Sequence, residues 1–189
     1  MWWPERGGSP ELTRALAIIV LAAGAGGCFQ PLYGEGPAGG PSGAGLHTAL
    51  SSIDVAQIDA ARGSDDARIA VEIRNALLFD LTGGSNPLPP AYRLNIRMTS
   101  TLSDIIVDTN TIRPAIENYG INATYMLTEI ASGKQVVSGQ TFARVSYDIP
   151  GQEQRFARLR GLRDAETRAA QVIADNVRTR LAAYFAAGT

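Results

Sequence analysis

Tyr92-Arg93-Leu94-Asn95-Ile96-Arg97-Met98-Thr99-Ser100-Thr101-Leu102 is the stretch whose reading decides the fold. Leu94, Ile96 and Met98 are two residues apart and Leu102 falls on the same face past Ser100, while Arg93, Asn95, Arg97, Thr99 and Thr101 fill the alternate positions. Successive side chains of a pleated strand point to opposite faces, so this pattern predicts a strand with one face on a core and the other on water. The strand is expected to run from Tyr92 to Val107, becoming apolar on both faces at Ile105-Ile106-Val107.

Downstream, Asp108 to Asn110 supplies a turn, and a second long strand is expected from about Ile112 to Ile130. There Tyr119, Ile121, Ala123, Tyr125 and Leu127 alternate with polar neighbours. Pro114 predicts an edge or a bulge at the start of that strand, because proline has no N–H to donate to a ladder. Ala131-Ser132-Gly133-Lys134 reads as a hairpin connection. A third strand, Gln135 to Ile149, carries Val137, Ala143, Val145 and Tyr147 on one face, with Phe142 and Arg144 interrupting the alternation. The three long strands read as antiparallel. After Pro150-Gly151 comes a long helix, continuous or broken near Gly161, with Leu162, Ala165, Ala169, Val172, Ile173, Asn176, Val177, Leu181 and Tyr184 at helical spacing.

Upstream, Ser52 to Ile58 alternates through Ile53 and Val55 as a short strand. Gly63-Ser64-Asp65-Asp66 offers a turn, an N-cap at Ser64 and two carboxylates for a helix N-terminus. The helix follows through Ile69, Ala70, Ile73, Ala76, Leu77 and Leu81 until Gly83-Gly84 stops it. The order is β-α-β-β-β-α. Two helices with apolar stripes and a sheet with one apolar face predict an α+β two-layer sandwich, both helices on one face of a four-stranded, mostly antiparallel sheet.

The N-terminal part reads differently. Arg6 and Arg14 precede an apolar run from Ala15 to Ala23, followed by small residues and then Cys28, the single cysteine. A basic start, a short apolar run and small residues describe a secretory signal peptide, too short to span a bilayer. Cys28 behind small residues resembles a bacterial lipobox, with Ala25 where lipoboxes usually carry Leu. The resemblance implies a covalent diacylglyceryl lipid on Cys28, and Phe29 in the next position implies sorting to the outer membrane. The alternative is ordinary secretion with a free thiol. Gly34 to Gly45 is rich in Gly, Pro, Ala and Ser and reads as a flexible tether. The expected organisation is a signal peptide over 1–27, a lipidated N-terminus and tether over 28–50, and a single α+β domain over 51–189.

Composition narrows the function. Lys+Arg totals 17 against Asp+Glu 18, so no global basic field points to nucleic acid. One cysteine excludes an internal disulfide. His47, the one histidine, is expected in a loop with no Cys or second His near it to complete a metal site. Asp104 and Asp108 read as turn-flanking carboxylates rather than an acid/base pair. With no activated nucleophile and no phosphate loop, a non-enzyme without metal or diffusible cofactor is expected.

Cys28-Phe29-Gln30-Pro31-Leu32-Tyr33-Gly34, and the tail from Arg163-Asp164-Ala165-Glu166 through Ile173-Ala174-Asp175-Asn176-Val177-Arg178-Thr179-Arg180-Leu181, resemble the lipopolysaccharide-assembly lipoprotein family LptE. The family's glycine after the cysteine is Phe29 here. The element order agrees with that family. The resemblance implies an outer-membrane component on the periplasmic side that plugs and helps assemble an LptD-type barrel and contacts lipopolysaccharide. In that role Arg93, Arg97 and Arg144 on the polar strand face, with Lys134 at a hairpin tip, are the candidates for lipid phosphates. The hairpin tips, through Asp108, Asn110 and Ile112 and through Ser132 and Gln135, are the candidates for barrel contact. Two alternatives stay open: an accessory lipoprotein of another envelope transporter or secretion complex without lipopolysaccharide binding, and a periplasmic domain with a closed ligand pocket.

Overall fold

The computed structural model describes residues 43–108, 113–148 and 155–187. Cys28, most of the tether, and Asn110 and Ile112 lie outside the described residues. In chain order the elements are α1 (Gly43–Ser51), β1 (Ile53–Val55), α2 (Asp65–Thr82), β2 (Tyr92–Asp108), β3 (Arg113–Glu129), β4 (Gln135–Asp148) and α3 (Arg155–Ala186). The strands form one four-stranded sheet in the order β1-β2-β3-β4.

β2 and β3 pair antiparallel from Tyr92↔Glu129 to Asp108↔Arg113, and β3 pairs β4 antiparallel from Thr128↔Gln135 to Ile116↔Asp148. β1 runs parallel to β2, because α2 carries the chain back between them. Pro114 sits where its missing donor costs least. It pairs with Val107 beside a register shift in β2, and the pairing of β3 with β4 has already ended at Ile116.

α2 begins where Ser64 caps it, its hydroxyl accepting from Ala67 N at 3.1 Å, and ends at Gly83 in the left-handed region at φ 62°. Ile69, Ile73 and Leu77 are fully buried on its inner face. They meet Leu94, Ile121 and Leu127 of the sheet and Ile173, Val177 and Leu181 of α3 in a single core. α3 is one uninterrupted helix through Gly161, where an added Cβ would lie 3.3 Å from the Tyr147 ring. Its buried stripe is wider than the periodicity indicates: Ala170, Ala174 and Ala182 are inside, while Val172 and Asn176 are exposed. The helix packs against α2 as well as β3 and β4, so two neighbouring stripes are covered, and alanine allows both contacts.

A further helix, α1, occupies the end of the expected tether. Leu46 and Leu50, four residues apart, enter the core, so the boundary expected at residue 51 falls inside packed structure. His47 is therefore helical and not in a loop. It is exposed, with Nε2 3.6 Å from where a Cβ at Gly83 would stand, close to the α2 C-terminus.

Candidate functional site

All the helices that pack on the sheet cover its Leu94–Ile121–Ala143 side. On the other side Arg93, Asn95, Arg97, Thr99, Thr101, Asn122, Thr124, Gln140, Phe142 and Arg144 are exposed or nearly so, and no described element lies over them. Strand register turns these alternate positions into rows across the face. Arg93 stands in a row with Thr128 and Gln135, Arg97 with Thr124 and Gln140, Thr99 with Asn122 and Phe142, and Thr101 with Gly120 and Arg144.

Between Arg93 and Ser103 on β2, Asn118 and Thr128 on β3, and Ser138 and Ser146 on β4, the outward positions hold no carboxylate. Arg97, Thr99, Asn122, Thr124, Gln140 and Phe142 line an open groove of about 480 Å³ in the middle of this face. Arg97 makes no hydrogen bond or ion pair among the described residues. The Arg144 guanidinium lies 5.8 Å from the Phe142 ring centroid. Arg93 is the exception, since its Nε donates to Asp54 Oδ2 of β1 at 3.2 Å. Unpaired guanidinium groups beside amides and hydroxyls can hold an anionic, hydroxylated ligand. Among the described residues no cluster of His, Cys, Asp or Glu could hold a metal ion.

The four cations singled out from sequence are not gathered at one point. Arg93, Arg97 and Arg144 share the open face, with about 13 Å of strand separating the Arg93 and Arg97 rows. Lys134 sits in the β3–β4 turn beyond them, where Ser132 Oγ donates to Glu129 Oε2 at 2.5 Å and accepts from Lys134 N at 3.2 Å. The two hairpin tips are at opposite ends of the sheet. Seventeen residues of β3 separate Asp108 from Ser132 and Gln135, about 55 Å, so one compact contact cannot engage both. The amides and hydroxyls of the groove carried no signal of their own in the sequence. Only the register of β4 places Gln140 and Phe142 beside Arg97.

The helix-covered side holds buried polar groups that serve the packing. Glu117, 3% exposed, accepts from the Tyr147 hydroxyl and from Arg158 Nη2 of α3, the latter at 2.7 Å. Burial first, and then the Glu117 carboxylate, push the Tyr147 hydroxyl well above its usual range. Arg68 of α2 pairs with Glu166 of α3. Burial raises Glu166 above the ordinary carboxylate value although Arg68 pulls it down. Burial also pushes Tyr119 up to about 12, with Ser100 acting in the opposite direction. Ser100 Oγ in turn donates to Asp66 Oδ1 at 2.5 Å, tying the start of α2 to β2.

Fold and face together define a two-layer α+β domain with one side of its sheet left open and the middle of that side free of acid. Among solved structures that share this fold is a protein of Caulobacter crescentus assigned as a lipoprotein, at 21% identity and a TM-score of 0.59, covering 77% of this chain and 98% of that one. Rare lipoprotein B of Shewanella oneidensis is also similar, at 12% identity and a TM-score of 0.50, covering 70% of this chain and 92% of that one. At these identities the likeness is one of fold. No family model matches the chain, and no curated protein matches it.

Proposed function

We propose that this protein is a non-enzymatic outer-membrane lipoprotein of the LptE type, held on the periplasmic side by acyl chains on Cys28. It partners an LptD-type barrel and offers its open sheet face to the phosphorylated saccharide head of lipopolysaccharide. The observation that carries the reading is the acid-free middle of the β2, β3 and β4 face, on which Arg97 and Arg144 stand without a carboxylate partner among the described residues. A guanidinium fork suits phosphate, and the surrounding amides and hydroxyls suit sugar hydroxyls. The shared fold with two proteins described as lipoproteins, and the lipobox-like run ending at Cys28, support the envelope setting.

The test is isolation of the C-terminally tagged protein from native membranes in mild detergent. A near-stoichiometric large outer-membrane barrel is expected alongside it, with lipopolysaccharide binding by the purified protein reduced at least tenfold by Arg97→Gln combined with Arg144→Gln. A different transporter as partner, or an unacylated soluble protein, overturns the reading.

A further inference from the structure

The first turns of α3 carry a pattern that neither the core nor the open sheet face uses. Gln154-Arg155-Phe156-Ala157-Arg158-Leu159-Arg160-Gly161-Leu162-Arg163 contains four arginines and no acid, with Glu153 and Asp164 on either side of it. Cations at a helix N-terminus oppose the helix dipole, and the first turn of α3 has no acidic residue to offset them. Arg158 turns inward to Glu117. Phe156, Leu159, Arg160 and Arg163 follow the spacing i, i+3, i+4, i+7, so they lie along one stripe.

That stripe faces solvent. Phe156 is 83% exposed, the most exposed large apolar side chain among the described residues, and Leu159 is 56% exposed. Arg160 and Arg163 are exposed and make no hydrogen bond or ion pair among the described residues, and Arg163 borders the α2–α3 groove with Glu72 and acts to lower the Glu166 carboxyl. The same end of the sheet leaves Leu102 and Ile105 about half exposed, because α2 begins only at the Ser100 level. Beyond Asp164 the pattern stops, as Asp164 pairs with Arg168 at 2.8 Å.

We infer that this stripe is a docking surface for an anionic phospholipid bilayer. Phe156 and Leu159 enter the boundary between headgroups and acyl chains, and Arg160 and Arg163 pair with lipid phosphates. An apolar pair flanked by unpartnered guanidinium groups is the arrangement by which interfacial helices hold such a surface. The surface is separate from the open sheet face and does not depend on a barrel partner.

The experiment is vesicle flotation of the chain from residue 28 onward carrying Cys28→Ser, so that neither an acyl chain nor the apolar Ala15–Ala23 run contributes. Vesicles of phosphatidylethanolamine with phosphatidylglycerol are compared with vesicles of phosphatidylcholine alone. Binding is expected to the anionic vesicles only and to weaken as salt rises. Each arginine near such a surface is worth about fivefold, so Arg160→Gln with Arg163→Gln should weaken binding about 25-fold. Phe156→Ala with Leu159→Ala should cost about tenfold or more. The exposure of all four side chains predicts unchanged thermal unfolding in both variants. A variant with Arg93, Arg97 and Arg144 changed to Gln should float like the parent. Failure of the parent to float, flotation unaffected by the α3 substitutions, or flotation lost only in the sheet-face variant overturns the inference. So does self-association through the stripe in sedimentation. None of these outcomes bears on co-purification of a barrel.

Discussion

Gly139→Ala tests the register of β3 and β4 on which the open face depends. Gly139 stands opposite Tyr125, and a Cβ there would lie 2.5 Å from the Tyr125 hydroxyl oxygen and 2.7 Å from Cζ. The tyrosine ring, 6% exposed, lies across the glycine and fills the space a side chain would need. Gly139 is not among the glycines with positive φ, so the backbone itself accepts alanine. The methyl group must displace a packed ring, a cost of about 1–3 kcal/mol. Restricting the unfolded chain returns about 0.4–1 kcal/mol. The expected net effect is a destabilisation of about 1–2 kcal/mol. In a Tyr125→Leu background the ring is gone, and Gly139→Ala should be neutral or stabilising by up to about 1 kcal/mol. Urea unfolding of the four proteins of this cycle, followed by circular dichroism at constant m, measures the coupling directly. An equal cost of Gly139→Ala in both backgrounds, or a gain in the parent, would show that Tyr125 does not lie over Gly139.

Two further substitutions probe the helix layer. Ser64→Ala removes the oxygen that accepts from Ala67 N and should lower stability by about 1 kcal/mol, with Ser64→Asp close to the parent in the same urea assay. An unchanged midpoint for the alanine variant would mean that the cap contributes nothing. Glu166 is raised by burial above its ordinary value of 4.5, so the folded state holds its proton more firmly than the unfolded chain does. Its favourable contribution is complete below the unfolded value and is lost as pH rises through the folded one. The parent should therefore lose stability relative to Glu166→Gln as pH increases from below 4.5 toward neutrality. A relative gain over that interval would mean that the ion pair with Arg68 outweighs desolvation.

What the residues determined locally is visible in β2 and α2. The spacing of Leu94, Ile96 and Met98 set the inner face of the strand, and Ser64 and Gly83 marked the helix ends, because pleat, cap and left-handed turn are decided by a few neighbouring residues. The order β-α-β-β-β-α follows from such signals read in series. The tertiary structure alone decided the rest. α1 forms across glycines and a short apolar pair because Leu46 and Leu50 find α2 and α3 to pack on. The three added alanines of α3 are buried because that helix packs on α2 as well as on the sheet. Phe142 and Arg144, read from sequence as interruptions, alternate regularly with buried Ala143, Val145 and Tyr147 and join one open face with Arg97 once pairing with β3 fixes where their rows fall. Strand register and the covering of a face depend on contacts between distant residues, whereas periodicity and capping depend on neighbours, and only the latter are written residue by residue along the chain.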